Sequence, residues 1–104
     1  MSLAKFHKEI REMCEAKGWD VFQTFNDKHK DGSRRVSYMR NGWRLPTEMK
    51  LKILVGAQEI VKKHNVNGTV YWRESERMGY GYYDKLCVDI DPYTLLLGDI
   101  AKDA

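Results

Sequence analysis

At 104 residues the chain fits one domain, 1–104, with a single two-layer core and no room for a second. An apolar fraction of 42% and a charged fraction of 32% are those of an ordinary globular protein, and no apolar run is long enough to span a membrane. The net charge of +3 is unevenly placed: residues 28–52 carry Lys28, Lys30, Arg34, Arg35, Arg40, Arg44, Lys50 and Lys52 against Asp31 and Glu48, a segment that suits a polyanion, an acidic protein surface or plain solvation.

The first element is an amphipathic helix, because Leu3, Phe6, Ile10, Met13 and Cys14 recur at helical spacing, with Ser2 as its N-cap and Gly18 as its stop. Its charged start lacks the apolar core of a signal peptide, so the chain is expected to be cytoplasmic. Residues 19–25 are rich in aromatic and β-branched types and read as a strand, 26–33 as a polar connection, and 34–40 as a second strand, the two forming a hairpin. Asn41, Gly42 and Pro46 punctuate the exit from it. Residues 47–64 then predict a helix, with Met49, Ile53, Ala57, Ile60 and Val61 on its apolar face. Residues 69–73 read as a strand, 74–77 as a loop and 80–90 as a long strand. Asp91 before Pro92 reads as an N-cap and helix start, and a short terminal helix carries Leu95, Leu96 and Ile100. The expected class is α+β, α-β-β-α-β-β-α, with a four-stranded antiparallel sheet and helices on one face.

Chemistry-bearing patterns are few. Cys14 and Cys87 have no partner cysteine or histidine at ligand spacing, so they read as reduced, buried thiols rather than a zinc site or disulfide. Asp89 and Asp91 share one face of a strand end, where a Mg²⁺ ion could sit, but Asp91 before Pro92 is better explained as a cap. His7, His29 and His64 are isolated, and no nucleophile elbow or phosphate-binding glycine loop occurs. No catalytic residue, cofactor or metal is assigned, and no enzyme is expected; a small hydrolase or nuclease using Asp89 and Glu74 is the least favoured alternative.

The aromatic pattern is more telling. Met78-Gly79-Tyr80-Gly81-Tyr82-Tyr83 resembles the longer signature of the RNA-recognition-motif family, keeping both glycines and both following aromatics. Ser37-Tyr38-Met39-Arg40-Asn41-Gly42 resembles the shorter signature of the same family. The resemblance covers residues 34–102 and implies that Tyr38, Tyr80 and Tyr82 are stacking rings on a ferredoxin-like sheet. Moving the last helix and strand of that fold to its front yields the order read here, so the resemblance implies a permuted ferredoxin-like sheet with 34–40 between 19–25 and 80–90, and 69–73 at the far edge.

Strand phase leaves a second possibility open. In a regular strand Tyr80 and Tyr82 share a face with Leu86, Val88 and Ile90, which is the core; presentation to bases requires a bulge between Gly81 and Asp84. The leading expectation is a non-catalytic nucleic-acid-binding module for RNA or single strands. Lys28, Lys30, Arg34, Arg35, Arg40 and Arg44 would meet phosphates, and Tyr38, Trp43, Tyr80 and Tyr82 would stack on bases. The alternative is a small protein-binding or inhibitory module, of an accessory or phage type, that docks on an acidic partner surface.

Overall fold

A computed structural model describes residues 3–21, 23–39, 45–77 and 81–91. They form α1 (Leu3–Ala16), β1 (Gln23–Lys28), β2 (Arg34–Met39), α2 (Thr47–Lys63), β3 (Gly68–Arg77) and β4 (Gly81–Ile90). The four strands make one antiparallel sheet in the order β1-β2-β4-β3, so β2 lies between β1 and β4 as the element order predicts. The expected C-terminal helix and the Ser2 cap lie outside the described residues. No described helix is long and apolar enough to cross a membrane.

Both helices end by the same device. Gly18, at φ 89°, reverses the chain after α1; Trp19 N–H donates to Cys14 O at 2.8 Å and Gly18 N–H to Glu15 O at 3.0 Å, the paired bonds of a Schellman motif. After α2, Asn65 at φ 53° takes the glycine's place, with Val66 N–H on Val61 O at 3.0 Å and Asn65 N–H on Lys62 O at 3.1 Å. In each case the residue after the turn, Trp19 or Val66, enters the same core cluster as the residue whose carbonyl accepts its N–H, Cys14 or Val61.

This explains one difference from the expected strand boundaries. Trp19 and Val21 are aromatic and branched because they are core residues of the α1–β1 connection, 0% and 2% exposed, and β1 starts only at Gln23. At the other end β3 is longer than expected: the polar run Glu74–Arg77, expected as a loop, continues the ladder opposite Asp84–Gly81. An edge strand pairs through its backbone, so its composition did not mark it.

The sheet has two chemically distinct faces. Val36, Tyr38, Leu86, Val88 and Ile90 occupy one parity and cluster with Phe6, Ile10 and Cys14 of α1 and with Ile53, Ala57 and Val61 of α2. Both helices therefore cover the same face. They approach closely at Gly56, where a Cβ would lie 2.8 Å from Met13 Sδ, so any larger residue there would oblige the flexible Met13 side chain to shift. Trp72 lies 5.2 Å from Trp19, ring to ring, and its indole N–H donates to Lys50 O at 3.0 Å, fastening α2 to β3.

One charge sits inside this core. Asp84 is 0% exposed, its Oδ2 accepts the Leu45 N–H at 2.6 Å, and Lys50 Nζ stands 2.8 Å from its Oδ1. The pair ties the start of α2 to β4. Replacing Asp84 by alanine leaves a buried amide without its acceptor and the Lys50 ammonium with only the exposed Glu74, 3.5 Å away, so denaturant unfolding of Asp84→Ala is expected to show a loss of about 3–5 kcal/mol.

A second polar tie joins the helices at the surface. Glu9 of α1 accepts from His64 Nε2 at 2.5 Å and from Lys63 Nζ at 3.0 Å. Hydrogen bonds from His64 and then Lys63 hold the Glu9 carboxyl down to about 2, from an ordinary 4.5. A depressed carboxyl stabilises the fold above its unfolded pKa and loses that contribution as pH falls toward the folded one. Melting temperature is therefore expected to fall between about pH 4.5 and about pH 2, with a shallower fall in Glu9→Gln over that window; parallel curves for the two proteins would contradict it.

Candidate functional site

The helix-free face is built by the other parity of each strand. Across the sheet the register aligns Asp27, Arg35, Asp89 and Thr69 in one row, Phe25, Ser37, Cys87 and Tyr71 in the next, and Gln23, Met39, Lys85 and Arg73 in a third. Successive rows are about 6.7 Å apart, and the outer strands are separated by about 14 Å. Phe25 and Tyr71 thus stand on the two edge strands, with small Ser37 and Cys87 between them.

Cations reach across this middle. Lys85 Nζ lies 5.0 Å from the Phe25 ring centroid, and the Arg35 guanidinium 5.9 Å from that of Tyr71. Arg35 Nε donates to Asp89 Oδ1 at 2.9 Å, and the Tyr71 hydroxyl donates to Asp89 Oδ2 at 3.0 Å. Partial burial, and then this bond to a carboxylate, push the Tyr71 phenol up to about 12, so it remains a donor throughout the neutral range. Cys87 lies beneath these groups, fully buried, 3.7 Å from Ser37 Oγ, and burial pushes its thiol up despite nearby Lys85, Arg73 and Arg35. Phe25 is 39% exposed, a high value for a phenylalanine on a folded sheet.

The expected site residues divide. Arg35 lies on this face. Lys28 and Arg34 pair with each other at the hairpin end, in the phase of the helix side, and Lys30 sits in the turn, which is closed by His29 N–H on Ser33 O at 2.9 Å. These three form a basic rim rather than part of the platform. Arg40, Trp43, Arg44 and Tyr80 lie outside the described residues, as does the side chain of Tyr82. The β3–β4 ladder runs without interruption from Gly68↔Ile90 to Arg77↔Gly81, with no bulge in the 81–84 stretch of the strand.

Tyr38 is a correction. Expected as a stacking ring, it is 0% exposed and faces α1, because its partner across the central pairing is the core residue Leu86. Its hydroxyl meets His7 Nδ1 at 2.6 Å. Burial pushes the Tyr38 phenol up, and burial followed by Arg11 holds the His7 imidazole below its ordinary range, so the contact joins two neutral groups. Phe25, Tyr71, Arg73 and Lys85 are candidate site residues of this face that the sequence reading did not name. Their signal was present in the alternation of Lys85, Cys87 and Asp89 with Leu86, Val88 and Ile90.

A groove of about 520 Å³ lies on the opposite side, between α1 and β1, and is lined by His7, Lys8, Arg11, Glu12, Glu15 and Thr24 among others. Its bases and acids balance, Lys8 is within 3.9 Å of Glu12, and Arg11 leans on Val21 O at 3.4 Å, so it offers no net charge to a ligand. Cys14 and Cys87 are free thiols, and among the described residues no cluster of histidine, cysteine, aspartate or glutamate could hold a metal ion.

Comparison with family models, with curated proteins and with solved structures finds no match to this chain.

The burial of Tyr38 has a measurable consequence. Tyr38→Ala is expected to lower stability by about 3–5 kcal/mol through the cavity it leaves, with unchanged affinity per folded molecule for any ligand of the opposite face. A stable Tyr38→Ala protein with impaired binding would contradict the burial.

Proposed function

We propose that the protein is a non-catalytic nucleic-acid-binding module that takes single strands across the helix-free face of its sheet. The observation that carries this reading is the alternation of rings and cations on that face: Phe25 with Lys85 above it, Tyr71 with Arg35 above it, and Arg73 beside Lys85. Rings give bases a π-face to stack on regardless of sequence, and cations beside them neutralise the phosphates between the bases. Together with Lys28, Lys30 and Arg34 at the rim, six cations stand against the carboxylates of Asp27, Asp31 and Asp89.

A duplex keeps its bases stacked 3.4 Å apart and offers a flat platform nothing to stack on. Two rings on strands about 14 Å apart instead suit an extended strand whose bases are splayed, with intervening nucleotides crossing the Ser37–Cys87 centre. The strand order 1-2-4-3 is also the order that a circularly permuted ferredoxin-like sheet requires, and the helix-free face of such a sheet is where RNA-recognition motifs carry their rings. In this reading the rings that matter are Phe25 and Tyr71, with Tyr38 withdrawn into the core.

Titration of a fluorescent single-stranded RNA over a range of salt concentrations tests it. Phe25→Ala is expected to lose about 1–3 kcal/mol of binding with little change in melting temperature, since the ring is largely outside the core. Removing Arg73 and Lys85 together should flatten the plot of log affinity against log salt by about 1.4 units. Absence of binding by the intact protein would overturn the reading in favour of an acidic protein partner.

A further inference from the structure

Resting on that reading, we infer that Asp89 gives the platform a preference for guanine, read through the Watson–Crick edge of a base stacked at Tyr71. The carboxylate lies in the row next to the Tyr71 ring, and its side chain is 43% exposed, on a face otherwise dominated by cations. A negative group there opposes phosphate binding unless it contacts something other than phosphate. Its orientation is fixed from both sides: Arg35 Nε donates to Oδ1 at 2.9 Å and the Tyr71 hydroxyl to Oδ2 at 3.0 Å.

Each carboxylate oxygen accepts about two hydrogen bonds, so one position per oxygen remains after these contacts. What remains is two acceptors side by side in a fixed plane. Among the four bases only guanine presents two adjacent N–H donors on one edge, N1–H and the N2 amino group, matching both oxygens at once. Cytosine and adenine bring one amino group beside an acceptor nitrogen, and uracil one imino N–H between two carbonyls, so each leaves one oxygen unpaired or facing another acceptor. Arg35 supplies the compensating charge, which lets a carboxylate persist beside a phosphate chain. The Tyr71 hydroxyl links the two tasks, since one side chain provides the stacking ring and aims the carboxylate.

The test compares two labelled RNAs of equal length, one of uridine alone and one alternating uridine with guanosine. The intact protein is expected to bind the guanosine-containing strand about tenfold more tightly. Asp89→Asn brings the ratio of the two affinities near one, and Tyr71→Phe, which removes only the hydroxyl that holds Asp89, also lowers that ratio. Circular dichroism melts confirm that each variant is folded, and Tyr71→Phe serves where Asp89→Asn is not. Equal affinities in the intact protein overturn the guanine preference and leave single-strand binding standing. A preference that survives both substitutions overturns the assignment to Asp89. Binding to neither strand overturns the nucleic-acid reading, and this inference with it.

Discussion

The pairing of β2 with β4 is the constraint from which the rest of the structure follows. Tyr38 lies opposite Leu86 and Val36 opposite Val88, so these four large apolar side chains of the two central strands fall on one side and meet the helices. Arg35 opposite Asp89 and Ser37 opposite Cys87 fall on the other. A slip of one residue would exchange the faces, pushing Val36, Tyr38, Leu86 and Val88 into water and Arg35 and Lys85 under the helices. Burial of several large apolar groups, at roughly 1.5–3 kcal/mol each, decides against that slip more strongly than any surface contact can.

The helices are placed by close contacts. Gly56 lets α2 approach Met13 of α1, and the two Schellman turns return the chain to the core at Trp19 and Val66. The Asp84–Lys50 pair stands in the same region, bonded also to Leu45 N–H, with Glu74 3.5 Å from Lys50. A buried ion pair adds little net stability compared with apolar packing, but breaking it is costly, so it fixes one arrangement of β4 against the start of α2. The surface tie between Glu9 and His64 works differently, because both groups remain partly in water and the bond responds to pH.

The two faces hold their polar groups differently. On the helix side His7 pairs with Tyr38 and Asp84 with Lys50. On the open side polar groups also meet one another, but around rings at the sheet edges rather than within a dry core. Phe25 on β1 and Tyr71 on β3 are each attended by a cation from a strand two places away, so long flexible side chains bridge the central strands and bury Ser37 and Cys87 beneath them. Such an arrangement holds the rings on rigid strands while leaving the charged ends adjustable.

The sequence by itself determined the α-β-β-α-β-β order and the helix spans to within a residue or two, because hydrophobic period, Gly18, Pro46 and the hairpin turn are local signals acting over a few residues, while the strand order was expected only from the resemblance to a permuted ferredoxin-like sheet. It also determined that Leu86, Val88 and Ile90 are core, since alternation is written in the strand itself. It did not place Trp19 and Val21 in a connection, or extend β3 through Glu74–Arg77, because burial from α1 and pairing with β4 are tertiary events that residue type does not encode. The side of the sheet taken by Tyr38 was likewise invisible in the motif Ser37-Tyr38-Met39. A tyrosine suits a core or a platform equally well, and the choice came from the register opposite Leu86 and the His7 side chain that meets its hydroxyl. Phe25, Tyr71, Lys85 and Arg35 come from four different strands, and only the folded sheet brings them into neighbouring rows.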